Sequence, residues 1–357
     1  MFSEQIVKPT LVVSEEIVNR NIQRMKEKAE KSKAVFRPHF KTHQSHEIAA
    51  LFRAKGIDKI TVSSVDMANY FAKKGWNDIT IAFVVNIRQI RAMDQLAGKV
   101  TLNLVTDSVF TTEVLASQTK NRMNVLVKID TGYGRTGLLP DDEKIETIIS
   151  VLEKSENLNF KGFLTHAGHT YKAKGMGETL AILSEAKDRL LSLKKKYQEH
   201  FPGIIISYGD TPSCSMAETC DGFDELRPGN FVFYDVMQYH LGSCGLEDIA
   251  VAAVCPVVSV FPEREELVVY GGAVHLSKEN IEADNGFRLY GYVVDIQHDG
   301  WGMAVPGAYV ASLSQEHGMI KMPRKYIDHY KPGDLIGILP VHSCLTADLL
   351  HQNTMLI

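Results

Sequence analysis

From residue 34 to residue 234 two hydrophobic patterns take turns along the chain. Short β-branched runs end on polar residues or glycine, and stretches with apolar residues three or four apart follow them. The runs are AVFRP (34–38), KITVSS (59–64), DITIAF (78–83), TLNLVT (101–106), NVLVKID (124–130), NFKGFLTH (159–166), GIIISYG (203–209) and ELRPGNF (225–231). Each predicts a strand, and most intervals predict a helix, the clearest over 179–197. Eight strands alternating with helices predict an α/β fold, a closed (β/α)8 TIM-type barrel. An open doubly wound sheet is the other architecture this alternation allows.

Beyond Val236 the texture changes. AVAAVCPVVSVFP (250–262), ELVVYGG (266–272), YGYVVDIQ (290–297) and LIGILPV (335–341) are separated by turns without long helical stretches. They predict a C-terminal, mainly antiparallel β domain. The run KPTLVVS (8–14) has no place among the eight barrel strands and is expected to join that second domain. The predicted division is a barrel over 15–240 and a β domain over 241–357 together with 1–14.

Charge and composition narrow the partners. Lysine plus arginine is 39 against 43 for aspartate plus glutamate, a net charge of −4, which points to neither nucleic acid nor an anionic membrane. No apolar run approaches the roughly 20 residues of a membrane span. The first ten residues carry charges and a proline, unlike a signal peptide. The 5 cysteines suit free thiols in a reducing compartment, or one thiolate with a special task. A cytoplasmic location is the expectation.

In such a barrel the active site lies at the C-terminal ends of the strands. Lys41 follows the first run, Asp130 and Arg135 the fifth, His166, His169 and Tyr171 the sixth, and GDTPS (209–213) the seventh. In GDTPS, Gly209 lets backbone N–H groups approach an anion, and Thr211 and Ser213 supply hydroxyls, so the loop suits a phosphate. A turn with a helix cap is the plain reading of the same residues. Lys41, between His39 and His43, can form a Schiff base in a partly buried pocket, or is a solvated loop lysine. His342 and Cys344 offer imidazole and thiolate two residues apart, which on an extended segment face one side and suit zinc. A hydrogen-bonded structural histidine beside an inert cysteine is the alternative.

Taken in order, RPHFKTH (37–43), KIDTGYGRTGL (128–138), THAGHTY (165–171), GDTPS, ELRPGNFVFYD (225–235), SQEHG (314–318) and LPVHSCLTADL (339–349) span nearly the whole chain. This text resembles the fold-type III pyridoxal-phosphate enzymes, relatives of alanine racemase, in the group of the D-serine dehydratases and D-threonine aldolases. The resemblance implies that Lys41 carries pyridoxal 5'-phosphate and that Gly209, Thr211 and Ser213 hold its phosphate. It implies that Arg135, His166, Tyr171 and Tyr234 line the cofactor pocket, and that His342 and Cys344 bind a divalent metal, zinc. A homodimer and a small D-amino acid substrate follow from it as well. The implied reaction is a metal-dependent lyase reaction on D-β-hydroxy amino acids, with D-serine giving pyruvate and ammonia. In the aldolases the pair is typically His-x-Asp, so Cys344 favours the dehydratase side. D-threonine aldol cleavage is the main alternative; an amino-acid racemase and a non-catalytic cofactor-binding protein are further ones.

Overall fold

The computed structural model describes residues 2–282, 286 and 288–357, which form two compact units. One comprises residues 23–41 and 45–229; the other comprises 1–22, 42–44 and 230–357.

The first unit is the barrel. Its strands are Val35–Phe36, Lys59–Val62, Asp78–Val84, Thr101–Thr106, Met123–Lys128, Leu158–Leu164, Ile205–Tyr208 and Glu225–Leu226, all at the predicted runs. Neighbours pair in parallel in the order first, eighth, seventh, and so on to second. The ends then meet: a parallel bridge joins His39 to Thr61, and the Phe40 N–H donates to the Thr61 carbonyl at 2.8 Å. That closure excludes the open doubly wound sheet.

Polar residues at the strand ends start the helices. Ser45, Ser64 and Ser108 each accept the backbone N–H three residues on, opening helices His46–Ala54, Val65–Lys73 and Val109–Gln118. The barrel interior is layered. Val105, Leu126 and Leu164, with Val84 and Ile205, form an apolar layer from five strands. Nearer the strand starts runs a ladder of side chains. Asn159 donates to Asn124, Asn124 to Asn103 and Asn103 to Asp78, each at 2.9 Å. Arg37 continues the ladder, donating to Asp78 at 2.7 Å and to Glu225 at 2.5 Å. These buried charges are paired, which burial demands.

The second unit is an antiparallel sheet that closes on itself. Strand Val251–Phe261 pairs with both Glu266–Tyr270 and Leu335–Pro340, and the ring runs on through His317–Lys321, Gly300–Leu313 and Gly291–Gln297. The N-terminal strand Thr10–Val13 joins this sheet as expected, antiparallel to Val251–Phe261 and parallel to Thr354–Leu356. The strands Gly300–Leu313, His317–Lys321 and Thr354–Leu356 are additions to the sequence reading. No helix among the described residues is long and apolar enough to cross a membrane.

Candidate active site

Lys41 stands on a rigid footing. The preceding Phe40 is fully buried, its ring 5.0 Å from those of Phe52 and Phe71 and 5.1 Å from that of Trp76. Lys41 itself is exposed, and its backbone N–H donates to His39 Nδ1 at 3.3 Å. Its charge acts on His166, which stands after the sixth strand. Burial is the chief reason that His166 titrates well below the usual imidazole range; the charges of Lys41, Lys128 and Arg135 add to it, and a hydrogen bond to Gly209 opposes it. His166 is therefore neutral. Its Nδ1 lies 2.6 Å from the Gly209 carbonyl, an acceptor only, so Nδ1 carries the proton and Nε2 is left to accept.

The GDTPS loop is built around close approach. A Cβ on Gly209 would lie 2.7 Å from the Arg227 backbone, so only glycine fits. Asp210 caps the short helix Thr211–Met216 by accepting the Ser213 N–H at 2.7 Å. Ser213 is fully buried, and its hydroxyl accepts from Tyr208 at 3.0 Å. Thr211 differs: its Oγ1 is buried and has no hydrogen-bond partner among the described residues. Native interiors seldom leave such an atom unpaired, so the loop fits a missing polar group such as a phosphate oxygen. The Thr211 N–H faces the Tyr171 hydroxyl at 3.5 Å.

Asp130 shapes the fifth loop. Its carboxylate accepts the N–H groups of Gly132, Tyr133 and Gly134 at 2.9–3.1 Å, an organising role in place of catalysis. Arg135 is exposed, its guanidinium 4.8 Å from the centre of the Tyr133 ring. His169 lies nearly parallel to that ring, at 6.3 Å.

Two basic residues of this unit escaped the sequence reading. Lys128 ends the fifth strand and is buried. Burial, reinforced by the charges of Arg227 and Arg135 and opposed by those of Asp107 and Asp130, pulls it down to about 7. Arg227, after the eighth strand, is buried as well, and burial lowers it to about 10. It donates to Ser207 Oγ at 2.6 Å and to the Thr165 carbonyl at 2.5 Å. The alternation Asn124, Leu126, Lys128 was the available signal for Lys128: residues two apart share a strand face, here the barrel interior.

In the β unit, His342 and Cys344 do come together, though not along an extended segment. His342 caps the helix Ser343–Leu349, and Cys344 lies in its first turn. Burial disfavours a charge on His342, but the hydrogen bond and charge of Cys344, with Asp235 and Glu279, outweigh it and hold the imidazole up to about 9. Cys344 Sγ lies 3.2 Å from Thr42 Oγ1 and 3.5 Å from Asn230 Nδ2. Asn230 also donates to Asp235 at 2.6 Å, while its own Oδ1 is buried and unpaired. Among the described residues no third His, Cys, Asp or Glu completes a cluster. Two soft-to-borderline donors with open positions suit an ion that also takes water or substrate. Tyr234, in the same unit, is buried and holds φ at 49°, a backbone state few non-glycine residues adopt.

A closed (β/α)8 barrel whose strand ends gather a lysine, an arginine and a neutral histidine defines an enzyme scaffold of the barrel class. Residues 13–236 match the model of the alanine racemase N-terminal domain, and residues 250–356 match that of the serine dehydratase domain. The chain is 30% identical to the D-serine dehydratase of Dictyostelium discoideum, over 95% of this chain and 90% of that one. It is 29% identical to the D-threo-3-hydroxyaspartate dehydratase of Delftia sp. (strain HT23), over 95% and 91%. That protein's solved structure matches with a TM-score of 0.87 at 26% identity, covering 97% of this chain and 93% of that one. A D-threo-3-hydroxyaspartate dehydratase has also been solved as a histidine-to-alanine mutant and, in a metal-free form, as a cysteine-to-alanine mutant, at positions two apart. The D-threonine aldolase of Arthrobacter sp is 26% identical over 64% of this chain and 61% of its own. The chain belongs to the fold-type III pyridoxal-phosphate enzymes, in the group that joins an alanine racemase-like barrel to a serine dehydratase domain.

Proposed function

We propose that the protein is a pyridoxal-phosphate- and metal-dependent lyase of D-β-hydroxy amino acids that converts D-serine to pyruvate and ammonia. The observation that carries this reading is the His342–Cys344 pair, brought together where strand gives way to helix. Imidazole plus thiolate favours zinc over magnesium or manganese. The spacing matches the histidine and cysteine mutated in the hydroxyaspartate dehydratase, whose cysteine mutant was solved in the metal-free form. We assign the cofactor to the barrel unit (23–41 and 45–229) and the metal pair to the β unit (1–22, 42–44 and 230–357).

Bound there, the cofactor supplies an electron sink for charge left at Cα and the metal a Lewis acid for the β-hydroxyl. The chain's own residues do the rest. Lys41 Nζ would hold the cofactor, and as a free amine would take the Cα proton. The unpaired Thr211 hydroxyl, with the backbone at Gly209 and the side of Ser213, holds the phosphate. Arg135 and Tyr171 would line the cofactor pocket of the barrel. His166, kept neutral, offers an acceptor nitrogen without adding to the positive charge already present. Thr42 and Asn230 steady Cys344. Loss of the Cα proton and the β-hydroxyl leaves an enamine, which hydrolyses to the keto acid and ammonia. The five thiols, all free, support a reducing, cytoplasmic setting, and we expect a homodimer.

A second substrate is favoured by one observation. Arg135 is exposed after the fifth strand, and among the described residues no ion pair holds its guanidinium, a cation that suits a substrate with a second carboxylate, such as D-threo-3-hydroxyaspartate. Purified protein supplied with D-serine is expected to release pyruvate and ammonia. A chelator should stop this while leaving the cofactor's visible absorbance in place, and zinc should restore it. Loss of the cofactor with the metal, or turnover indifferent to chelation, would contradict the assignment of the two groups to different residues.

A further inference from the structure

Arg135 is exposed at the barrel mouth, and among the described residues no hydrogen bond or ion pair holds its guanidinium. A free arginine side chain samples many rotamers, and a site that needs it in one place must restrict it. The restriction here is an aromatic face: the guanidinium carbon lies 4.8 Å from the centre of the Tyr133 ring. Planar guanidinium groups stack on such faces and keep their N–H donors in the plane free for an anion.

The ring itself is fixed on several sides. The Tyr133 N–H donates to Asp130 Oδ1 at 2.9 Å, which sets the backbone. His169 lies at an interplanar angle of 22° to the ring, and His166 meets it edge-on at 5.9 Å and 82°. Gly168 makes room for it: a Cβ there would sit 2.5 Å from a ring carbon. The glycine of THAGHTY and the aspartate of DTGYGR thus serve one ring, and the ring serves Arg135.

We propose that Tyr133 is a positioning residue that holds the Arg135 guanidinium at the barrel mouth and thereby sets how tightly the site takes its anionic ligands. The inference rests on the reading of Arg135 as a site residue. It deepens that reading by naming what gives this arginine its place.

The test is a double-mutant cycle read by two measurements. One is the affinity of apoprotein for pyridoxal phosphate, followed by visible absorbance; the other is the split between KM and kcat for D-serine. Tyr133→Leu is expected to weaken cofactor affinity and raise KM by about fivefold, with kcat changed less. Tyr133→Phe keeps the face and should restore most of that loss. Gly168→Ala, which displaces the ring, should resemble Tyr133→Leu. In an Arg135→Ala background Tyr133→Leu should add less than a twofold further loss, because the group it positions is gone. Fully additive losses would overturn the proposal, and so would a Tyr133→Phe protein as impaired as Tyr133→Leu, since the hydroxyl would then be the acting group. If D-serine is not turned over but cofactor affinity shows the coupling, the substrate reading fails and this one stands. A wild-type apoprotein that takes up no pyridoxal phosphate sinks both.

Discussion

A buried hydroxyl without a partner costs the apoprotein about 1–3 kcal/mol, and that cost turns to gain when an anion arrives. Thr211 is in that position: among the described residues its Oγ1 has no partner, and neither has Asp210 Oδ2 in the same loop. Thr211→Val should therefore leave apoprotein stability equal or higher, yet weaken pyridoxal-phosphate affinity by about 10- to 100-fold, the worth of one hydrogen bond to a charged acceptor. Equal affinity in mutant and wild type would remove Thr211 from the phosphate site. Lys128 gives a pH signature. Its folded value of about 7 lies below the ordinary lysine value of 10.5. Between those two values the unfolded chain binds the extra proton, so this group makes the apoprotein more stable as pH rises from 7 towards 10.5, by at most about 1.4 kcal/mol per unit. Lys128→Met should flatten that rise, as read from urea unfolding of the apoprotein at pH 7 and 9; parallel pH profiles for the two proteins would count against it. The positions of Lys41 and Thr211 after the first and seventh strands were legible because those strand runs are plain in the sequence. Lys128 was hidden because a lysine closing an apolar run looks like a solvated strand end until the strand's inner face is known.

Among the elements, each barrel strand lies within or beside its predicted run, because the period-two runs and the serine caps between them agree. The long strand Gly300–Leu313 was invisible for the opposite reason. It contains three glycines and a proline, and register shifts on both of its partners break the alternation a strand is read by. The backbone geometry of His342 and Cys344 was not legible: the predicted extended segment is a strand-to-helix turn, with Ser343 N–H donating to Asp235 at 3.0 Å. Gly209→Ala tests the element that carries the phosphate loop. The added Cβ would meet the backbone of Arg227 at 2.7 Å, and backbone cannot swing aside as a side chain can. We expect about 1–3 kcal/mol of destabilisation in urea melts, together with weaker cofactor affinity. An alanine variant with unchanged stability would mean that the seventh and eighth strands are not held this closely.

For the molecule as a whole, the two hydrophobic periods along the chain foretold a barrel and a β domain. Lys41, Arg135, His166 and Thr211 belong to the barrel unit, and His342 and Cys344 to the β unit. Barrel and β domain are common to dehydratase and aldolase relatives alike, so the choice of reaction rests on chemistry at the metal pair. On the proposed reading, a Cys344-held zinc at the β-hydroxyl would favour its departure, whereas an aldolase need only help it lose a proton. D-threonine separates these outcomes, because both reactions can act on it. With D-threonine as substrate and both product sets measured, the account predicts 2-oxobutanoate and ammonia in excess, and loss of both with Cys344→Ala. Glycine and acetaldehyde as the dominant products would contradict it and make the chain an aldolase despite its cysteine.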